Sequence, residues 1–541
     1  MKTYEVNSFS LYSQKKTHKQ KIMIEFLKSI AFLLPVAFLL LVNFKSKKAV
    51  KEKLDKLISL AKVGVFLNFI ASIIAIGLIV SNGLTEIKIL GFQSFGFTVR
   101  LDSLSVIMYT MVAIIAFVVL RFSFNYLDGD ERQGVFIGRL ATTIVAVQLM
   151  VLSGNIFMLF LAWVATSITL HKLLNFYHHR KKSRLGARKK FIVARLGDVA
   201  LLAAVIILHQ VFQTGNLEEI FSAIKNGTVT GTSSLEIVGI LLVVTAALKS
   251  AQLPLHGWLI DVMEAPTPVS ALLHAGLLNA GPFLIIRFAY VMDATVLAPI
   301  VLFILAGITS LYGSLIFSTQ PTIKNSLAYS SIAHMGFSLM VCGLGIYSAA
   351  LLHLVAHSFY KAHAFLSSGS IIDRVRTKNA ANFIRKGSIG RMLLGVIVAF
   401  IIFVSISWVF GFHKNHEFQL WIIGGVIFIG IVNLLINAFD SNNTFQSISK
   451  IIGAAVSVLV SFFSLEFMVR IALESQLPTV SEPSNWMKYI SLAMLSLFYI
   501  LALAFSLSTS DNNRLFRGLK VHLRNGFYLN VLFNRLVGSL K

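Results

Sequence analysis

The stretch 353–363 reads HLVAHSFYKAH and carries His353, His357 and Lys361 four residues apart. On an α-helix that spacing stacks all three on one face. Two imidazoles and an ammonium inside an apolar run can pass protons, because histidine titrates near neutral pH. Histidines at i and i+4 can also hold zinc, but no cysteine or carboxylate completes a ligand set here and HExxH is absent. No metal is therefore expected in this chain. His334, in SSIAHMGF, lies on the preceding apolar run and extends the candidate wire. The competing reading of such residues is helix packing, although intramembrane ionisable groups are costly enough to make function the default hypothesis.

A second cluster lies at 248–282, LKSAQLPLHGWLIDVMEAPTPVSALLHAGLLNAGP. It holds four of the nine prolines: Pro254, Pro266, Pro268 and Pro282. A proline within a helix frees a carbonyl one turn back. At membrane depth, freed backbone groups survive only where protein re-satisfies them or where they line a cavity. Broken helices with polar side chains point to a transport site. Lys249, His256, Asp261, Glu264, His274 and Asn279 all share the stretch. Burial would make the Lys249 ammonium sensitive to any nearby charge, as a relay lysine requires. The alternative is a lysine snorkelling to the interface. Asp261 and Glu264 fit either the broken element or a solvated cytoplasmic loop, and both placements stay open. Asp102 and the Arg195/Asp198 pair fall at expected span starts, where they would orient helices. No nucleotide loop, nucleophile motif or dinucleotide fingerprint is present.

These groups need a scaffold of helices, and the composition supplies one. The 541 residues are 56% hydrophobic and 13% charged, with mean hydropathy +0.78. Soluble domains are roughly 45–50% apolar and about 25% charged. A soluble enzyme, a disordered chain and a fibrous repeat are excluded; an all-α polytopic membrane protein fits. Apolar run length marks about fifteen spans. They lie near 26–44, 60–81, 103–121, 135–153, 155–177, 191–213, 234–252, 267–291, 294–317, 324–345, 346–371, 392–410, 419–438, 450–472 and 487–508. Residues 85–103 alternate apolar and polar around Gly91 and Gly96, as a surface hairpin does. The single cysteine, Cys342, excludes an intrachain disulfide and a cysteine-based metal site.

Net charge is +25. The cations sit in short runs between apolar stretches, as in cytoplasmic loops, so nucleic acid is not the expected partner. Basic runs at 45–56, 180–190, 374–391 and after 513 all fall on one side of the span count. That side is the cytoplasm by the Lys/Arg bias. The C-terminus is then cytoplasmic and the N-terminus outside, in the cell (inner) membrane. The basic arm 1–22 conflicts with this, and translation from Met23 is an equal alternative. The tail 514–541 is amphipathic and basic, suited to a membrane surface or a partner. The expected organisation is an arm (1–22), N-terminal helices with the hairpin (23–134), two repeats (135–291 and 292–440), further helices (441–513) and the tail.

The strings LKSAQLPLHGWLIDVMEAPTPVSALLHAG, NSLAYSSIAHMGF and HLVAHSFYKAHAFLSSGS resemble the antiporter-like, proton-translocating subunits of respiratory complex I and Mrp cation antiporters. VRLDSLSVIMYT and YLDGDERQGVF extend the resemblance over about 95–375. It implies about fourteen or fifteen helices with two inverted five-helix repeats, each holding a broken helix. By position, Lys249 would be the central lysine of the first repeat, His274 the polar residue of the next helix, and His353, His357 and Lys361 the central chain. Pro254, His256, Asp261, Glu264, Pro266 and Pro268 would form the broken, coupling element. Two features depart from the pattern. Trp163 is followed by Val164 where the family has a glutamate that pairs with the central lysine, and 392–414 has no proline to break its helix, Lys414 fitting only loosely.

HGWL, HAGLLNAGPFL, KAHAFLSSGS and the ending NGFYLNVLFNRL are similar to one branch that tolerates these losses, the membrane subunits of two-part inorganic carbon accumulation systems. There the partner, DabA, resembles a zinc β-carbonic anhydrase on the cytoplasmic side. The branch implies that cation flow, of H⁺ or Na⁺, drives one-way carbon dioxide hydration in that partner. The chain itself would be a transporter subunit, not an enzyme, with no cofactor of its own and zinc in the partner. The alternatives are an Mrp-type monovalent cation/proton antiporter subunit, a respiratory proton-pumping subunit and a passive membrane anchor.

Overall fold

The computed structural model describes residues 28–46, 53–92, 95–177, 179–227, 233–370, 389–410, 418–439, 445–479, 482–507 and 514–539. The arm 1–22, Met23, most of the run 374–391 and Lys414 lie outside these residues. The chain forms two compact units, residues 1–184, 208–222 and 265–272 in one and 185–207, 223–264 and 273–541 in the other.

The first unit begins with α1 (Lys28–Ser46) and α2 (Leu54–Asn82). An antiparallel hairpin follows, β1 (Thr85–Phe92) with β2 (Phe95–Leu101). Its register pairs Thr85 with Leu101 and Gly91 with Gly96. At that glycine pair a Cβ on either residue would lie 3.2 Å from the other's Cα, so side chains are excluded at the crossing. Three long helices complete the unit: α3 (Ser103–Tyr126), α4 (Gln133–Val151) and α5 (Ile156–Leu174). Asp102 caps α3 by accepting from the Ser105 amide at 2.7 Å. Asn155 caps α5 through the Phe157 amide. Each cap satisfies one of the orphan amides of a helix start.

A buried guanidinium ties the hairpin to its neighbours. Arg100 donates from Nε to Asp102 at 2.7 Å, from Nη1 to Glu86 at 3.2 Å and from Nη2 to Glu218 at 2.7 Å. Asn216 donates to the second oxygen of Glu86. Burial alone would lower the Arg100 pKa, but Asp102 and then Glu218 hold it above the ordinary value. The planar fork of arginine suits this bridging of three carboxylates.

The second unit carries most of α6 (Lys181–Phe212), then α8 (Ser233–Lys249) after the short α7 (Leu217–Lys225). A short α9 (Gly257–Asp261) follows the break, and α10 (Thr267–Leu272) belongs to the first unit. The chain continues through α11 (Ala280–Arg287), α12 (Ala289–Asp293), α13 (Leu297–Phe317), α14 (Ile323–Gly343) and α15 (Tyr347–Leu366). It ends with α16 (Ile389–Val409), α17 (Phe418–Phe439), α18 (Phe445–Leu473) and α19 (Asn485–Leu507). The tail forms α20 (Arg514–Arg524) and α21 (Leu529–Ser539). Small residues let α13 and α14 approach closely: a Cβ at Gly313 would fall 2.7 Å from the Ala333 nitrogen, and one at Gly336 2.7 Å from the Ser310 nitrogen. Ala399, Leu435, Leu459 and Phe463 form an apolar core among α16, α17 and α18.

The protein is a polytopic all-α membrane protein. Among the described residues, 11 helices are long and apolar enough to cross a bilayer. The four other expected spans are helices as well, but α8 has only 17 residues and Leu393–Val409 is a short apolar segment. The remaining two, α14 and α15, carry the serines, tyrosines and histidines of the candidate pathway. Helices this polar are tolerated in a bilayer only inside a bundle. The basic run 180–190 is not a loop: α6 starts ten residues before the expected 191, at Lys181, and both Lys189 and Lys190 are buried.

Removing the Arg100 guanidinium strands Asp102 and its partners. Arg100→Ala is expected to destabilise the protein by about 3–5 kcal/mol, read as a lower midpoint of thermal unfolding in detergent. Arg100→Lys, which keeps the charge but not the fork, should fall between.

Candidate ion pathway

The break after α8 is real, but the prolines do not all make it. Residues 250–256 leave the helix, with a cis Leu253–Pro254 bond and Ala251 at φ +52°. Side chains take up the freed backbone groups. Thr309 accepts from the Leu253 amide at 3.2 Å, Gln252 donates to the Ser250 carbonyl, and Ser250 Oγ donates to the Leu278 carbonyl at 2.7 Å. Pro266 and Pro268 stand instead at the start of α10, where a missing amide costs nothing. Beyond it the helix widens into a π-turn, Leu273–Leu277, which carries His274. Helices often open this way at functional sites.

The second cluster is continuous. His334 Nδ1 lies 3.3 Å from His353 Nε2. The His334 ring is 5.0 Å from that of His357, centroid to centroid. Lys361 is fully buried and donates to the Leu327 carbonyl at 3.0 Å. It lies in electrostatic reach of His274, His334 and His357. His274 Nδ1 is 2.8 Å from Ser331 Oγ, and its ring stacks on Phe365. The structure thus brings His274, His334, His353, His357 and Lys361 into one group on α14, α15 and the π-turn, with His274, His357 and Lys361 buried and His334 and His353 partly exposed. No group of three or more His, Cys, Asp or Glu among the described residues is arranged to hold a metal ion.

Lys249 is buried in a different company. It feels the charges of Asp198 and Arg195 on α6, and Lys190 lies in reach of it. Arg195 and Asp198 form an ion pair at 2.6 Å. These two sit inside α6 rather than at its start, and Asp198 places a carboxylate in electrostatic reach of Lys249. A polar bridge runs between the two clusters. Ser250, next to Lys249, bonds the Leu278 carbonyl, and the adjacent Asn279 donates to Ser358 at 2.6 Å, three residues before Lys361.

The broken element is plugged by the tail. His256 Nε2 lies 3.1 Å from Tyr312 Oη, which donates to the Gly526 carbonyl at 2.8 Å. The tail turns sharply there, with Gly526, Phe527 and Tyr528 all at positive φ. Asn530 then reaches the first turn of the broken element. Its amide donates to Asp261 at 3.0 Å and its carbonyl accepts from Lys189 at 2.7 Å, while Lys189 also pairs with Asp261. The fit needs Gly257, because a Cβ there would lie 2.2 Å from the Asn530 oxygen. Asp261 is therefore part of the broken element and half-buried, whereas Glu264 and Pro254 are exposed. Lys189, Asp198, Ser331, Ser358, Tyr312 and Asn530 were not singled out from the sequence as pathway residues. Their signal was faint: Lys189 is one cation in a basic run, the others are isolated polar residues, and partners lie up to 341 positions away.

The profile "NADH:quinone oxidoreductase/Mrp antiporter, TM" matches residues 153–407. That of "NADH-Ubiquinone oxidoreductase (complex I), chain 5 N-terminus" matches 89–137. The chain is 34% identical to the probable inorganic carbon transporter subunit DabB2 of Halothiobacillus neapolitanus, over 82% of this chain and 81% of that one. It is 35% identical to the probable DabB of Hydrogenovibrio crunogenus, over 67% and 69%. The chain belongs to the DabB family, within the complex I and Mrp antiporter-like subunits. Among solved structures, the Mrp complex from Dietzia sp. DQ12-45-1b shares the fold at TM-score 0.62 and 20% identity, over 94% of this chain and 60% of that chain. An archaeal membrane-bound sulfane sulfur reductase shares it at TM-score 0.58 and 16% identity, over 94% and 99%. Every residue of the two clusters lies inside the longer profile match. One element departs from the family expectation: α16, where the second break was expected, is a continuous helix.

Asn530 makes hydrogen bonds to two charged groups, each worth about 1.5–3 kcal/mol. Asn530→Ala should therefore loosen the tail. The expected result is a roughly tenfold faster trypsin cleavage within 514–539 on membranes made accessible at both faces, since cleavage tracks the open population.

Proposed function

We propose that this chain is the cation-conducting membrane subunit of an energy-coupled inorganic carbon uptake system. The reading rests on the His/Lys column of α14, α15 and the π-turn, five titratable side chains in one group. The names of the relatives, inorganic carbon transporter subunits, support the cargo. Protons are the conducted ion in this reading, because the column offers imidazole and amine nitrogens and no carboxylate cage for sodium.

The mechanism follows from the geometry. Protons hop between His353, His334 and His357, whose rings lie within 5.0–6.1 Å of one another. Lys361 and His274 carry the charge towards Asn279 and Ser358, and the Ser250 bridge links it to Lys249. Asp198 stabilises the charged form of Lys249, the task that the residue beside Trp163 does not perform. Charging Lys249 alters the balance at the adjoining broken turn, whose far end is the Lys189–Asp261–Asn530 triad. A soluble partner of the DabA type, similar to a zinc carbonic anhydrase and seated at the cytoplasmic face, would receive that change and hydrate carbon dioxide in one direction. One charge crossing the membrane is worth about 2.3 kcal/mol per 100 mV, enough to drive hydration more than tenfold past equilibrium. This chain supplies no catalytic step of its own. The inner membrane is its expected site, with the tail in the cytoplasm.

Bicarbonate accumulation in cells carrying both subunits tests the reading. Lys249→Ala and Lys361→Ala should each lower uptake at least about tenfold, with both subunits still present in the membrane. Asp198→Asn should lower it less, since the lysine remains. Uptake unchanged in both lysine variants would reject the pathway. Sodium-dependent growth defects without a carbon phenotype would favour an Mrp-type antiporter.

A further inference from the structure

One buried carboxylate stands outside everything described so far. Glu466 is 3% exposed in α18, although Leu465, Phe467 and Met468 beside it are 47%, 50% and 64% exposed. The residues that flank it are thus exposed, while Glu466 lies on the buried side of α18 with Leu459 and Phe463. Glu466 accepts a hydrogen bond from Ser348 Oγ at 2.9 Å, in the first turn of α15. The next cation along its own helix, Arg470, lies over the Phe467 ring. His353 lies five residues further along α15, about 7.5 Å along the axis and about 140° around it from Ser348.

A cavity of about 300 Å³ opens at the same end of the bundle. Asp293, Thr295, Tyr347, Gln419 and Glu482 are among its lining residues. Tyr347 precedes Ser348 directly, and Asp293 lies in electrostatic reach of Tyr347. The walls come mainly from residues within 292–300, 343–347, 478–479 and 482–487. By the span count these are the connections opposite the basic runs. The only cation paired there among the described residues is Lys488, 3.6 Å from Glu482.

We propose that Glu466 is the acceptor through which protons from the cation-poor face reach the buried column, with this cavity as its vestibule. The Glu466 carboxylate takes a proton from vestibule water and becomes the neutral acid. It then releases that proton through water to His353, and the carboxylate is restored. Asp293 and Glu482 raise the local concentration of cations at the opening. Ser348 holds the receiving oxygen in place. The inference rests on the proposed reading that the column carries protons.

Two measurements test it separately from that reading. The first is access. Ser348→Cys, placed in a Cys342→Ala background, is treated with a cationic, membrane-impermeant methanethiosulfonate. Labelling from outside whole cells, and not from the outer face of inverted vesicles, is expected. Absence of labelling from outside would overturn the vestibule whatever the chain transports. The second is uptake, with Glu466→Gln, Glu466→Asp and Lys361→Ala compared in cells carrying both subunits. Glutamine keeps the volume and can still accept from Ser348, so a packing role predicts uptake within about twofold of the parent. The proposal predicts a loss of at least about tenfold for glutamine and a partial return for aspartate. Full uptake in Glu466→Gln alongside loss in Lys361→Ala would sink the inlet and leave the column standing. If the glutamine variant does not accumulate, the labelling result decides.

Discussion

The structure depends on keeping cations out of water in an apolar fold. An ammonium or guanidinium taken out of water is expensive unless something answers it. Each buried cation described here is answered differently. Arg100 meets three carboxylates, Lys189 meets Asp261 and Asn530, Lys361 meets a backbone carbonyl and sits among histidines, and Lys249 is in reach of Asp198. The first two are locked by several short bonds. Lys361, by contrast, is bonded to a neutral carbonyl and not to a carboxylate. The buried cations are thus distinguished by their surroundings rather than by residue type.

The same constraint explains where the backbone is irregular. The break at 250–256 and the π-turn at 273–277 lie beside Lys249 and His274, and their freed groups are taken up by Thr309, Gln252 and Ser250. In hydrocarbon such gaps would stay unsatisfied. The continuous α16 has no comparable break. Glu466 on α18 and the histidines on α15 bring titratable groups to the second half of the chain without any interruption of the helix.

Much of this was legible in the residues. The spacing of His353, His357 and Lys361 placed them on one face, and the run SSIAHMGF placed His334 one helix away; the rings meet as that pattern implied. The hairpin and the helix positions followed from alternation and run length. The start of α6 did not, because Lys189 and Lys190 look like loop residues until a carboxylate from the broken element and one from their own helix are set beside them. Asp261 stayed undecided for the same reason: its partners lie far away in the chain. The prolines misled in part, since Pro266 and Pro268 begin a helix rather than breaking one. Glu466 left no trace in the pattern, as a lone acid in an apolar helix reads alike whether it faces lipid or protein.

The docking of Asn530 has a consequence for how the protein is made. Lys189 and Asp261 are synthesised 341 and 269 residues before the asparagine that completes their triad. Until residue 530 has been made, the Lys189–Asp261 corner of the fold stands half assembled. A chain cut short before Asn530 would carry that defect, and membrane proteases would meet it as an open seam. α21 therefore closes a joint whose other half has waited through hundreds of residues of synthesis.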